Sequence, residues 1–553
     1  MRSLTKIRFR FRPRLLDDLA AYDRQTFARD FSAGLTVGIV ALPLAMAFAI
    51  ASGLPPQAGL FTAIVAGFLV SAFSGSSVQI AGPAGAFIVI VFAIVERYGV
   101  ANLLISTMCA GVLMFAMGLM RWGGLVRLIP VSIVIGFTNG IAVLIGLSQV
   151  KEFLGLRIAD LPAEFFGKMA AIFSALHTVN FSAVLISCLS LAIVVLWPKS
   201  YSDHASWLGR WIARLPGTLV ALGVGTLLVS ALDLQVATIG SAFGAIPQGL
   251  PNFSLPEFEW STVRYLFAPI LTIAFLGAAE SLLCARVADA MTKSKHDPNQ
   301  ELMAQGIANV VSPLFGGYCA TGTVARTVTN IRAGGKTQVS GIVHALTLLV
   351  IVLGAAPLAS NVPLATLSGI LMFVAWNMGE WREFIRLRNF SYAYRAILIS
   401  TFVLTVVVDI TVAVEVGLAL SCLFYITRMS ELTRLEPLTA EERAALGVRD
   451  PDTEVVRIVG SLFFGAISKL EGFTEGRTTL PKVLILDMSS LIQLDTTGIE
   501  SLAALHQSLI DQDGELRVVG AHGQPLSLME RSEFMGRVGH QYFYKSLADA
   551  CRG

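Results

Sequence analysis

The sequence is poor in charged residues. Only 14% of its 553 residues are Asp, Glu, Lys or Arg, whereas a soluble globular protein carries about 25%. The shortage lies in the middle of the chain, because positions 31–429 hold 37 charged residues, the first 30 positions hold 12 and the last 124 hold 30. The composition therefore excludes a wholly soluble protein. It predicts a membrane domain at 31–429, a basic N-terminal segment at 1–30 and a soluble tail.

Motifs that would support several other functions are missing. The six cysteines show no Cys-x-x-Cys spacing, so neither a disulfide framework nor a metal site is predicted. The tail contains no Gly-rich phosphate loop and no catalytic cluster. The net charge of +3 sums a basic leader, a basic middle region and an acidic tail, and it gives no nucleic-acid signal. We therefore expect no enzyme activity, no cofactor, no metal and no nucleic-acid partner.

Apolar runs fill the middle of the chain. A bilayer core about 30 Å thick needs roughly 20 apolar residues per helix, and we count twelve to fourteen such segments. Those at 82–95 and 321–331 are too short to cross alone. Basic residues follow the even-numbered segments, for example Arg332 and Lys336 after the tenth. By the positive-inside rule, this pattern favours fourteen spans, with both termini in the cytoplasm of a bacterial inner membrane.

Two stretches about 240 residues apart share one order of features. Residues 55–85 and 297–322 each run from a proline-containing start through an apolar helix to a break of small residues. An odd number of spans between two copies inverts the second copy, as in transporters with broken helices. The similarity predicts an inverted repeat, unless it arises by chance between Gly/Ala-rich spans.

The breaks read QIAGPAGA at 79–86 and YCATGT at 318–323. Irregular backbone at membrane depth is tolerated where protein or a water-filled cavity receives it. A helix that restarts at Ala84 or Thr321 would present free N–H groups and the positive end of its dipole, which together favour an anion. The alternative interpretation is a Gly/Ala face for helix packing.

Two charged residues of the membrane region are candidates for function. Glu280 is alone in the apolar run from Tyr265 to Ala285, where a carboxylate costs about 2.5–3.5 kcal/mol on insertion scales. We expect it to carry function; the alternative is a protonated acid that makes a packing hydrogen bond. Arg326 follows the second break, where it could bind an oxyanion, pair with Glu280 or extend to the membrane interface.

The tail, residues 438–553, has a different hydrophobic period from the membrane region. Short β-rich runs, such as those at 454–465 and 482–490, alternate with helical segments such as 499–512. This alternation predicts a small α/β domain. The segment from Asp495 to Gly498, between a strand and a helix, is predicted to be an N-cap in which Asp or Thr satisfies the free amides; the alternative is a phosphorylation site.

Several stretches resemble one known family. The tail LILDMSSLIQLDTTGIESL resembles a STAS domain, and the membrane region resembles the SulP anion transporters, the sulfate-permease group. The resemblance covers nearly the whole chain. It implies an α-helical polytopic fold of fourteen spans in a 7+7 inverted repeat, with a core domain (spans 1–4 and 8–11), a gate domain (spans 5–7 and 12–14), a cytoplasmic STAS domain and a homodimer. The membrane stretches are ALPLAMAFAIASGLPPQAGLF (41–61), GSSVQIAGPAGAF (75–87), GAAESLLCARVADAMT (277–292) and ARTVTNIRAGGKTQVSGI (325–342).

The resemblance also assigns roles to individual residues. It places the substrate between the restarts of spans 3 and 10, and Glu280 at the coupling position of span 8. At the position of Cys284, the resemblance implies a Thr in the sodium-coupled bicarbonate branch of the family. A thiol is a poor ligand for sodium. The residues expected around the anion are Phe48, Ala84, Thr323, Ala325 and Arg326, together with the small residues of the two breaks, Gly85, Ala86, Thr321 and Gly322.

These observations predict a secondary active transporter for sulfate, a C4-dicarboxylate or bicarbonate. We expect proton symport by an elevator-like movement in the lipid bilayer, with sodium the less favoured coupling ion. The alternatives are a sodium-coupled bicarbonate symporter, an anion exchanger, and an anion channel or sensor that signals through the STAS domain. The sequence leaves open whether a cytoplasmic protein binds that domain.

Overall fold

The chain folds into two compact units, the first ending at Leu418 and the second beginning at Ala419. A computed structural model describes residues 11–552 except 21, 125–129, 159–160, 163, 198–215, 245–248, 250–252, 257–259, 449, 451 and 475–478. Residues 1–10 of the predicted basic leader thus lie outside the described residues. The described part of the leader lies against the loop after the second long helix, where the Arg14 backbone N–H donates to the Ser74 carbonyl at 3.0 Å.

The first unit is helical because its apolar runs are punctuated by helix-starting residues. Pro56 is the first residue of one helix, and Pro298 begins another behind Asp297, whose carboxylate accepts hydrogen bonds from the first-turn amides of Asn299 and Gln300. Proline and aspartate are favoured at these positions, since the proline lacks an amide that would go unsatisfied and the carboxylate satisfies two others. The helices before the second break are α1 Arg14–Leu19, α2 Arg24–Ala51, α3 Pro56–Phe73, α4 Ile88–Tyr98, α5 Val100–Leu119, α6 Val131–Leu154, α7 Phe165–Ala175, α8 Phe181–Leu196, α9 Gly217–Ala231, α10 Ile239–Phe243, α11 Trp260–Tyr265, α12 Phe267–Thr292 and α13 Pro298–Val311.

Six more helices lie between the second break and residue 433, and each of the two breaks contains a two-residue strand. Strand β1 (Ala81–Gly82) lies in the first break and strand β2 (Thr321–Gly322) in the second. The remaining helices are α14 Val324–Arg332, α15 Val339–Ala359, α16 Leu364–Met378, α17 Trp381–Arg386, α18 Tyr392–Val407 and α19 Ile410–Leu432.

The helices of the first unit pack as two groups. Helices α2, α3, α4, α5, α12, α13, α14 and α15 contact mainly one another and form what we term the first bundle. Helices α6, α8, α9, α16 and α18 form the second bundle. The two groups touch through fewer contacts, chiefly of α2 with α9 and α16. Small residues permit the close packing within a group, because a Cβ on Gly111 or Gly306 would overlap the facing backbone of α13 or α5.

Six helices in the described residues are long and apolar enough to cross a membrane. The pair α7 and α8, bent by 116°, passes the same test when taken together, and three shorter apolar helices accompany them. The expected count of fourteen spans stays a prediction. The predicted start of the short segment at 321–331 was wrong, because Thr321 and Gly322 form a strand and α14 begins at Val324. Strand pairing across the chain holds these two residues extended.

The second unit contains the predicted α/β domain. Its strands are β3 Arg434–Pro437, β4 Thr453–Leu462, β5 Val483–Asp487, β6 Leu491–Leu494, β7 Glu515–Val519 and β8 Phe543–Tyr544. They form a mixed sheet of order β3-β4-β5-β7-β8, with β6 paired to β4; β3 runs antiparallel to β4, and the other pairs are parallel. Buried aliphatic residues, among them Leu484, Leu486 and Leu502, form its core. Its helices are α20 Ala440–Ala445, α21 Ile467–Thr474, α22 Thr496–Ile510, α23 Gly523–Arg531, α24 Phe534–Val538 and α25 Leu547–Arg552.

Two carboxylates of this domain have clear structural roles. The N-cap prediction for Asp495 is confirmed, since its side chain accepts the Gly498 amide at 2.8 Å. Asp487 is buried and accepts hydrogen bonds from Arg457 Nε at 2.9 Å and the Ser489 amide at 3.0 Å. Burial alone would raise the pKa of Asp487, but these hydrogen bonds outweigh it and hold the pKa below its usual range. The carboxylate therefore stabilises the fold in its ionised form.

Candidate functional site

The two breaks predicted from the sequence meet in space. Strands β1 and β2 pair antiparallel, with Ala81 opposite Gly322 and Gly82 opposite Thr321. The pairing continues by one bond, because the Thr323 amide donates to the Ile80 carbonyl at 2.9 Å. We call this pair of strands the crossing. It lets the two interrupted backbones satisfy some of each other's buried polar groups.

Side chains from neighbouring helices hold the crossing in place. Asn309 of α13 binds Ala320 twice: its Oδ1 accepts the Ala320 amide at 2.8 Å, and its Nδ2 donates to the Ala320 carbonyl at 2.9 Å. Ser281 of α12 accepts the Gly322 amide at 3.2 Å and shares a hydrogen bond of 2.7 Å with the Thr321 hydroxyl. All five groups are buried. Asn309 and Ser281 thus fix the chain immediately before the second helix start.

A helix begins directly after each strand, and neither start is capped by a side chain. Ala84 precedes a 3-10 turn, Gly85–Phe87, that leads into α4, and Thr323 precedes α14. The Thr323 hydroxyl would ordinarily cap α14, but it donates to the Ile80 carbonyl at 3.1 Å. The first-turn amides of both helices therefore remain available to a ligand, in the electrostatic field that favours an anion.

The second helix does not start where the sequence analysis expected. Thr321 lies in β2 and donates its hydroxyl to the Gly277 carbonyl at 3.0 Å, so it faces α12. Gly322 is also buried, and a Cβ there would overlap the Gln79 side chain. Both residues shape the crossing, while the first-turn amides come from Val324 onward.

The first helix start faces side chains from both bundles. A Cβ on Gly85 would lie 3.4 Å from Met378 Sδ and 3.8 Å from both Phe48 Cζ and Ile145 Cδ1. Phe48 was predicted, whereas Ile145 of α6 and Met378 of α16 were not, since nothing distinguishes them from other apolar span residues. The second bundle thus closes one side of the space beside the crossing. Ala84 and Ala86 are buried next to it, and Ala325 at the other helix start is exposed.

Arg326 lies behind the crossing. Its side chain is 2% exposed, so it does not extend to the membrane interface. Its Nη1 packs against Gly82 so closely that a Cβ there would overlap it, and Ala63 of α3 flanks the same space. Within the described residues its terminal nitrogens have no hydrogen-bond partner and form no ion pair with Glu280. A guanidinium left without a counter-charge adds positive potential beneath the two helix starts.

Glu280 lies one residue before the crossing-binding Ser281. It is half-buried, and in the part of the chain that the structure describes it makes no hydrogen bond and no ion pair. One turn later, the Cys284 thiol donates to the Thr327 hydroxyl at 3.2 Å, and the Ile80 amide donates to the same hydroxyl at 3.0 Å. The thiol is thus engaged in holding α14. Glu280 is left as an uncommitted carboxyl beside the crossing.

No group of three or more His, Cys, Asp or Glu side chains that could hold a metal ion occurs among the described residues. The site is therefore built from helix starts, one guanidinium and one carboxyl.

Comparison with known proteins gives a consistent result. The Sulfate permease family profile matches residues 27–401, and the STAS domain profile matches residues 448–550. A Bacillus subtilis protein named for sulfate transport, YvdB, is 42% identical over 526 residues, which cover 95% of this chain and 97% of that protein.

Two solved structures have a similar fold. The transmembrane domain of the cyanobacterial bicarbonate transporter BicA aligns with a TM-score of 0.64 at 32% identity and covers 71% of this chain and 98% of that one. The murine Solute Carrier 26 family member A9 anion transporter, in its inward-facing state, aligns with a TM-score of 0.84 at 18% identity, covering 97% and 93%. The second likeness concerns the fold alone.

Proposed function

Because this chain belongs to the sulfate permease family of membrane anion transporters and ends in a STAS domain, we propose that it imports a small oxyanion together with a proton. Sulfate is the foremost candidate, since the 42% identical relative is named for sulfate transport. A C4-dicarboxylate and bicarbonate remain the alternatives to be tested alongside it.

One observation carries the anion site. Two uncapped helix starts meet at the crossing, with the buried, unpaired guanidinium of Arg326 behind them. We assign the anion to the space beside Phe48, Ala84 and Gly85, where the amides of both helix starts converge. Arg326 contributes its positive charge there, since its Nη1 packs against Gly82 of the crossing. The other predicted residues, Ala86, Thr323, Ala325, Thr321 and Gly322, line or shape the same region.

The coupling proposal rests on Glu280. Uptake of an anion against a negative-inside potential needs a co-transported cation. Glu280 has no fixed partner and lies next to Ser281, which binds the crossing, so a change in its protonation is felt at the anion site. Sodium coupling is the less favoured alternative, because Cys284 supplies a thiol already bonded to Thr327 and sodium prefers hard oxygen ligands.

We further propose that the first bundle is the moving core and the second bundle is the gate. Anion and coupling residues lie on the first bundle, while Ile145 and Met378 of the second bundle close one side of the site. An elevator-like movement of one bundle along the other would carry the site across the membrane. We propose that the protein lies in a bacterial inner membrane with both termini and the STAS domain in the cytoplasm, and that it acts as a homodimer. Whether a cytoplasmic protein binds the STAS domain is left to experiment.

The test is uptake into proteoliposomes. Labelled sulfate, succinate and bicarbonate are offered separately under an imposed proton gradient, then under an imposed sodium gradient at fixed pH and clamped potential. One pH unit is worth 1.36 kcal/mol, so coupling to one proton predicts up to about tenfold accumulation per unit. Failure of all three anions to accumulate would refute the proposal for these substrates.

Replacement of sodium by choline separates the two coupling ions. Proton coupling predicts an unchanged initial rate. A several-fold loss of rate would show sodium coupling instead, and Cys284→Thr should then strengthen the sodium dependence by restoring a hydroxyl ligand.

A further inference from the structure

An apolar groove separates the two bundles on one side of the membrane domain. Its volume is about 330 Å³, and its walls come from α2, α3 and α15 of the first bundle and from α9 of the second. No charged residue lines it in the described structure. Leu222, Gly223, Thr226 and Leu227 form the wall on α9, one continuous face of that helix.

The groove offers no unmet polar group along its length. The Thr226 hydroxyl donates to the Leu222 carbonyl at 2.8 Å within α9 and needs no further partner. The remaining polar side chain is Asn361, which follows α15 at one end of the groove and is exposed. The groove therefore fits an apolar chain with a polar group at one end. The anion substrate, which needs N–H donors or positive charge, does not match this lining.

The groove is continuous with the surface that faces lipid. Leu227 and Leu358, both lining residues, are 70% and 71% exposed on helices of the membrane domain. In the bilayer such side chains contact acyl chains, and the groove opens between them. Left empty, it would deprive its apolar walls of dispersion contacts on one side. A lipid chain that slides in from the adjoining surface restores those contacts.

The helix directions place the groove in one leaflet. Met46, Leu227 and Leu358 lie near the C-terminal ends of α2, α9 and α15, and Leu60 lies near the N-terminal end of α3. With the termini in the cytoplasm as proposed above, these ends are on the outer side. Asn361 then lies at the level of the lipid glycerol and ester groups.

We propose that an acyl chain of an outer-leaflet phospholipid occupies this groove and must shift when the bundles move, so that it sets the rate of transport. Its occupation does not depend on the substrate or the coupling ion; the effect on rate rests on the proposed movement of the bundles. Binding and transport are therefore measured separately.

Gly223 provides the decisive variant. A Cβ at Gly223 meets no atom within 4 Å and Gly223 lines the groove, so we expect the side chain of Gly223→Leu to occupy space in the groove. Gly354 on α15 gives a matched control, since a Cβ there also meets no atom within 4 Å and the residue does not line the groove. Both changes replace a helix glycine by leucine within a span, near the middle of α9 for Gly223 and in the outer half of α15 for Gly354. Thr226→Leu is a second filling variant in case Gly223→Leu does not fold.

The experiment uses the full chain in vesicles of phosphatidylethanolamine and phosphatidylglycerol that contain a phosphatidylethanolamine with a diazirine in the middle of one acyl chain. After illumination, labelled peptides are quantified by mass spectrometry. We expect labelling of α9 and α15 in the wild type and Gly354→Leu, and at least a fivefold loss in Gly223→Leu or Thr226→Leu. Equal labelling in the filled and control variants would overturn lipid occupation.

A second copy of the chain is the competing occupant. Thr226→Cys is treated with a short bis-maleimide in the same vesicles, and a dimer that forms only with this cysteine would overturn the proposal. Initial uptake rates then test the functional half: Gly223→Leu should change the rate at least threefold relative to Gly354→Leu. Loss of labelling without a change in rate would refute the effect on transport, while absent uptake in the wild type would refute the proposed function and leave the labelling result standing.

Discussion

Removal of the Asn309 side chain should loosen the crossing and weaken anion binding. Asn309→Leu keeps the approximate size of the side chain but deletes both hydrogen bonds to Ala320, at 2.8 and 2.9 Å. Ala320 is fully buried, so its amide and carbonyl would be left without partners. Each such group costs about 1–3 kcal/mol, which gives about 2–6 kcal/mol for the pair if nothing relaxes.

That cost falls on the segment that positions the second helix start. If the bound anion requires the native geometry of this segment, part of the same free energy is lost from the free energy of anion binding. A tenfold change in affinity corresponds to about 1.4 kcal/mol, so we expect KM for uptake to rise at least tenfold. Asn309→Asp should have a smaller effect, because its carboxylate still accepts the Ala320 amide although it no longer donates to the carbonyl.

Asn139 supplies the matched control. It is equally buried, but its Nδ2 donates only to the Ile135 carbonyl one turn back in α6, and its Oδ1 has no partner among the described residues. Asn139→Leu should therefore leave KM within about twofold of the wild type. Initial rates against anion concentration in proteoliposomes, with thermal unfolding of the same preparations, measure both effects. An unchanged KM in Asn309→Leu with normal unfolding would refute the role given to the crossing.

Four further expectations follow from the same structure. Glu280→Gln should abolish accumulation driven by a pH gradient while anion binding by calorimetry persists; wild-type accumulation would remove the proton role. Arg326→Ala should weaken anion binding more than Arg326→Lys, which keeps the positive charge. Equal affinities of the wild type and both variants would show that Arg326 has only a packing role. Asp487→Asn should destabilise the full chain by only about 1 kcal/mol at neutral pH, because the partner Arg457 is partly exposed to solvent. The folded-state pKa of Asp487 is lowered, so this difference in the free energy of unfolding should vanish as the pH falls through that pKa. A pH-independent difference in calorimetry would contradict the ion pair. A reporter active only in the periplasm should stay silent when fused after the C-terminus, and its activity would overturn the proposed topology.

The sequence by itself determined the features that depend on neighbouring residues. Apolar runs of about 20 residues, the small residues at 79–86 and 318–323, the solitary Glu280 and the alternating period of the tail are all local patterns. Their physical meaning follows from the thickness of a bilayer, the conformational freedom of glycine and the cost of a buried charge. These patterns were enough to predict the membrane domain, the two interrupted helices and the α/β tail.

The tertiary structure decided which of these features meet. The pairing of Gly82 with Thr321 joins residues about 240 positions apart, and it moved the second helix start from Thr321 to Val324. Neither Asn309, one of several buried polar residues of α13, nor Met378, contributed by the second bundle, carries a local signal of its role. The side on which Arg326 lies depends on the space left by Gly82. Such contacts arise when helices distant in the chain pack together, so no window of neighbouring residues contains them.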